Sequence, residues 1–182
     1  MIKKCNTPFA RNESGSLSVE AVLILPLLAL AILVTIVLWD AFKAVNVNQK
    51  STFTIADMLS RETRDINPEY MTTLRELHAF LGTQSGDNAV RITVVTMNED
   101  PDTLVQSMEM VWSQGIGGLS GHQDLASIEA RIPAMAVGDQ LIVVEGVQSW
   151  EPAFNVGLPA YNFREVAITR PRFAPKLDWS DT

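Results

Sequence analysis

Glu20 is the residue whose type and position most need a chemical explanation. It stands at the entrance to an eighteen-residue run, Ala21 to Leu38, that holds no charged side chain. A carboxylate drawn into a bilayer costs a few kcal/mol at mid-membrane and less at the interface, so a cationic partner is expected for it. Five residues earlier lies Gly15, followed by Ser16, where the missing side chain leaves the backbone free to lie extended and unobstructed. Other candidates for chemistry are sparse. His78 and His122 have no cysteine nearby and no HExxH, GxSxG or phosphate-loop pattern around them, so both read as ordinary surface or partly packed side chains. Asn98-Glu-Asp-Pro-Asp102 offers oxygen ligands, but the twelve-residue calcium loop with its closing glutamate is missing, and a solvated turn explains it. No metal, no cofactor and no catalytic set is expected, and the chain does not read as an enzyme.

The element that must position Glu20 is the apolar run itself. A helix needs roughly 20 apolar residues to cross a hydrocarbon core about 30 Å thick, and residues 16–39 meet that length as a transmembrane helix. A secretory signal would have a shorter apolar region and a small-x-small cleavage site, whereas this run leads into Trp39-Asp-Ala-Phe-Lys43. The helix is therefore expected to stay on the mature protein, with Trp39 as an interfacial anchor. Pro26 falls in its first third, where proline removes one backbone hydrogen bond and usually kinks a helix.

Charge is split along the chain. In residues 1–15, Lys3, Lys4 and Arg11 stand against Glu13, giving +2 and leaving −9 for the rest of a chain whose net charge is −7. The basic end is expected on the cytoplasmic side and the acidic body, residues 40–182, exported. So acidic a body excludes binding nucleic acid through its phosphates. Cys5 is the only cysteine, so the exported part has no disulfide.

Beyond the span, Val45, Thr52, Ile55, Ala56 and Leu59 recur at helical spacing, with Asp57/Arg61 and Arg61/Asp65 as i,i+4 pairs, which predicts one long helix over 17–64. Asn67-Pro68 reads as an N-cap and first helical position, and Gly82 as the stop of a second helix carrying Tyr70, Leu74, Leu77 and Leu81 on one face. Gln84–Asn88 reads as a loop. The period then becomes two: Val90, Ile92 and Val94 pair by hairpin with Met108, Met110 and Trp112 across a turn at 98–102, the methionines and Trp112 forming one core face. Strands follow at Leu141–Val147 and Glu165–Thr169, making an antiparallel sheet with one face on a helix. Ser113–Gly121, with four glycines in nine residues, reads as a flexible loop. Asp124–Ile132 fits a short helix or a strand equally well. Trp150–Phe163 is a long connection of the kind that often carries function. Arg164, Arg170 and Arg172 read as solvated charges flanking a strand.

The basic leader, Gly15, Glu20 four residues after Ser16 and the apolar helix together resemble the N-terminus of type IV pilin-like proteins. Val19-Glu20 and Leu25-Pro26, with Leu141–Pro152 and Ala167-Ile-Thr-Arg-Pro-Arg-Phe173, are similar to TadE-like proteins of the tight-adherence pilus system. That resemblance implies an α+β pilin-like fold and a minor pilin or pseudopilin cut by prepilin peptidase between Gly15 and Ser16. Its further implied partners are other pilins or pseudopilins and the pilus assembly platform. It places the chain in a bacterial inner membrane as a single-pass protein, with Glu20 pairing the α-amine freed at Ser16, on the same helix or a neighbour. The rival expectation is an uncleaved single-span envelope protein whose exported domain binds another membrane component.

Overall fold

The computed structural model describes residues 14–82 and 87–181, and side chains from residue 18 onward within the first helix. Lys3, Lys4, Cys5, Arg11 and Glu13, on which the leader rests, lie outside the described residues, as do positions 84–86 of the expected loop. The order of elements is α1 (Ser14–Ser60), α2 (Pro68–Leu81), β1 (Asn88–Glu99), β2 (Gln106–Ile116), a 3₁₀ turn at Glu129–Arg131, β3 (Gln140–Trp150) and β4 (Tyr161–Thr169). The four strands form one antiparallel sheet in the order β2-β1-β3-β4. The fold is therefore α+β, a long N-terminal apolar helix joined to a four-stranded sheet.

The period-two pattern decides which side chains meet the helices. On one face of the sheet Val90, Ile92, Val94, Ile142, Val144 and Ala167 pack against Ile55, Ala56 and Leu59 of α1, Met71 and Leu74 of α2, and Leu177 of the C-terminal tail. Burying side chains of this size contributes roughly 1.5–3 kcal/mol each before the entropy of ordering is charged against it. The opposite face, with Val95, Leu141 and Ile168, is covered by Leu125, Ile132 and Met135 from the segment between β2 and β3.

α1 ends four residues earlier than its periodicity predicts. Arg61 and Glu62 N–H groups bond back to Met58 and Leu59 carbonyls, the Ser60 carbonyl accepts from Arg172 N–H at 2.7 Å, and the Glu62 carboxylate takes the N–H groups of Thr63 and Arg64. These contacts turn the chain, so Arg61 stands one residue past the helix and Asp65 well beyond it; Arg61 still reaches back to Asp57, at 2.9 Å. α2 starts as expected, with the Asn67 side chain accepting from Tyr70 N–H.

Three features of the sheet differ from the sequence pattern. The hairpin turn lies at 100–105, beyond longer strands than expected. A bulge sets Val94 opposite Trp112 and Val95 opposite Met110, leaving Val111 as an extra residue. One inserted residue flips the alternation, so Trp112 packs on the helix face while Met108 joins the opposite cluster; they are not one face. The expected glycine loop begins as strand: Ser113–Ile116 belong to β2, and Gly117 and Gly118, at φ 80° and 91°, turn the chain. The ambiguous 124–132 segment is a turn ending in the 3₁₀ element.

Where α1 crosses β3 the two backbones approach closely. A Cβ on Gly146 would collide with Thr52 Oγ1 and stand 2.8 Å from His78 Nε2. Gly146→Ala is expected to destabilise the protein by about 1–3 kcal/mol through overpacking, read as a lowered denaturation midpoint in detergent, and Thr52→Ala, which removes the blocking hydroxyl, should recover part of the loss.

Candidate functional site

The first half of α1 has a surface unlike the rest of the molecule. Between Val22 and Ile36 its exposed large apolar side chains are 49–70% accessible and distributed around the helix, while from Val37 onward the helix buries Val37, Ala44, Ile55 and Leu59. Its mean hydropathy reaches 3.1 in the most apolar window, enough by length and composition to cross a membrane. Glu20 is exposed on this half. Gly15 and Ser16 lie in the first turn of α1, and Ser16 and Glu20, four apart, share a helix face about one turn apart. Pro26 sits inside α1, which continues across it as one element; the missing N–H leaves the Val22 carbonyl without its helical donor.

Two polar clusters fasten the domain to this helix and to itself. Asn48, fully buried on α1, donates from Nδ2 to the Gly146 and Phe163 carbonyls at 3.3 and 3.0 Å and accepts from His78 Nε2 at 3.0 Å. Because the amide N–H groups face carbonyls, Oδ1 is left to accept, and His78 is neutral with its proton on Nε2. Burial lowers the His78 pKa from 6.5 to about 4. This corrects the expectation of a surface or partly packed histidine: the side chain has no accessible surface and belongs to the helix-sheet joint.

On the far face, Glu145 accepts from Arg91 Nε and from His122 Nε2, the latter at 2.8 Å, with all three side chains nearly buried. Burial pushes the Glu145 carboxyl up, but the bonds and charges of Arg91 and His122 more than reverse it and hold it below its ordinary value. His122 Nδ1 meets Ser127 Oγ at 3.0 Å, and the His122 backbone N–H donates to Ser113 Oγ. A hydroxyl on an imidazole backed by a carboxylate is a base-nucleophile geometry, yet the guanidinium already neutralises that carboxylate. The cluster ties the segment after Gly117 to the sheet. Sequence reasoning missed it, although Glu145 inside Leu141-Ile-Val-Val-Glu-Gly-Val147 was a visible signal: a carboxylate in a buried strand needs a paired cation.

The other candidates have local duties. Asp100 Oδ1 accepts from the N–H groups of Asp102 and Thr103, and Asn98 Nδ2 donates to Glu109, so these oxygens organise the hairpin turn. Among the described residues no group of three or more His, Cys, Asp and Glu side chains could hold a metal. Arg170 and Arg172, more than half exposed, reach Asp139 at 3.0 Å and Asp57 at 3.7 Å. Compared with protein-family models, curated proteins and solved structures, the chain has no match in any of the three.

Because His78 must be neutral to stay buried, its lowered pKa predicts a sign. Protonation favours the unfolded chain, so stability is full above pH 6.5 and falls as the pH drops toward 4, by up to about 3 kcal/mol. Denaturant midpoints across that range should show this slope, and His78→Gln should flatten it.

Proposed function

We propose that the protein is a membrane-anchored minor pilin or pseudopilin of TadE-like type, whose work is to join or prime a filament through its N-terminal helix. The observation that carries this reading is the two-part character of α1: one continuous helix of 47 residues whose first half is apolar, unpacked and marked by a single carboxylate, and whose second half is fixed to an antiparallel sheet. A half-free apolar helix on a rigid base is what a subunit needs if its helix is first held by a bilayer and then by a bundle of like helices. Lipid offers no hydrophobic drive for helices to associate, so a polar pair at a defined depth supplies the selectivity. Glu20 is placed for that pair, with the α-amine that prepilin peptidase would free at Ser16.

On this reading the exported domain is a binding module and not an enzyme, and the Arg91–Glu145–His122–Ser127 cluster is a fastening. The partners are prepilin peptidase, the other pilins or pseudopilins and the assembly platform in the inner membrane. In the cells that make the protein, Glu20→Ala should leave its membrane level unchanged while lowering its incorporation into sheared filaments several-fold. Unchanged incorporation would contradict the role given to Glu20, and a protein isolated from cells with residues 1–15 still attached would favour the uncleaved envelope protein instead.

A further inference from the structure

The connection between β3 and β4 occupies an unusual height on α1. β3 runs antiparallel to α1, and its contacts mark the descent: Gly146 meets Thr52 and Asn48, and Trp150 donates its Nε1–H to Asp40 at 2.9 Å, while at the other end Arg172, just past β4, meets Ser60. Past Trp150 the connection continues in the same direction. Val156 and Phe163 pack with Trp150 on Val37 and Ala44, and Val37 is 1% exposed. Yet Val37 belongs to the charge-free run Ala21–Leu38, which at 1.5 Å per residue is only about 27 Å long, so all of it is needed to cross a core about 30 Å thick. A loop that covers Val37 stands at the level where the helix leaves the lipid.

The composition of this connection fits that level. From Pro152 through the connection and into the start of β4 at Phe163 there are twelve residues without a charged side chain. Phe154, Leu158 and Tyr161 are 48%, 38% and 61% exposed, beside Trp39 and Phe42 at 75% and 67%. In the sequence, Glu151 and Arg164 flank this stretch, and Asp40 and Lys43 stand among Trp39 and Phe42 on α1. Gly157, at φ 87° with nothing near its would-be Cβ, turns the chain at an open tip. Exposed aromatic and leucine side chains flanked in sequence by charges are the composition of a segment lying in the membrane interface.

We infer that the β3–β4 connection is a second membrane contact, which sets Phe154 and Leu158 into the headgroup boundary and holds the exported domain flat against the bilayer. The inference rests on the membrane-anchored reading of α1. It adds that the domain does not swing on a single tether while it waits in the membrane.

The test uses the full chain in lipid nanodiscs, with Cys5→Ser as background and one nitroxide-labelled cysteine at Phe154, Leu158, Leu28 or Leu104. The four positions are exposed, so labelling spares the core. Collision with oxygen, which concentrates in lipid, is compared with collision with a water-soluble nickel chelate. Labels at 154 and 158 are expected to meet the chelate several-fold less than the label at 104, with oxygen collision rising toward that of 28. Labels at 154 and 158 that match 104, while 28 reads as lipid, would overturn the second contact alone. Shielding from both reagents would mean that protein covers the loop, and would overturn it too. A label at 28 that reads as water would bring down the anchored reading itself.

Discussion

The arrangement depends on one buried amide. Asn48 is the only side chain of α1 bonded at once to β3, β4 and α2 among the described residues, through Gly146, Phe163 and His78. Each of those bonds, if lost, would strand a polar group away from water at about 1–3 kcal/mol, so the amide admits one register of helix on sheet. Gly146 allows the approach by having no side chain, and Thr52 and Ser51 turn their hydroxyls back onto the Asn48 carbonyl. Apolar packing alone would tolerate a slide of α1 along the sheet; this joint does not.

Fixing the register also fixes what protrudes. With Asn48 locked, Asp40 meets Trp150 and Val37 meets Val156, and the helix from Val22 to Ile32 stands exposed. The domain therefore presents its N-terminal helix at a set length and angle, a rigid handle and not a tethered one. In the proposed assembly this rigidity matters, because Glu20 can find an amine on a neighbour only if its depth relative to the domain is constant. The far-face cluster on Glu145 serves the same end by holding the covering segment on the sheet, so both faces of a four-stranded sheet stay closed.

Much of the fold was legible because its signals are local. The apolar run, the Asn67-Pro68 cap and the alternation in Val90–Val94 each depend on near neighbours in sequence, and the structure has a helix, a capped helix and strands there. What stayed hidden depends on distant partners. The stop of α1 at Ser60 is set by Arg172, more than a hundred residues away. The bulge at Val111 inverts a face without changing the alternation in the sequence, so Met108 and Trp112 part. His78 on an amphipathic helix gave no sign that an asparagine thirty residues earlier would bury it. The candidate site was legible as composition alone: Gly15, Ser16, Glu20 and Pro26 all fall on α1, and what α1 packs against once it leaves the domain is a matter of other molecules.

The central claim is that this helix enters its assembly with a new N-terminus at Ser16, one turn from Glu20. The most direct measurement is the intact mass and N-terminal sequence of the protein purified from its own membranes. The account predicts a chain beginning at Ser16 and retaining everything after it. A chain beginning at Met1 would contradict it by leaving Glu20 without the amine, and one beginning beyond Leu38 would contradict it by removing the helix on which the function rests.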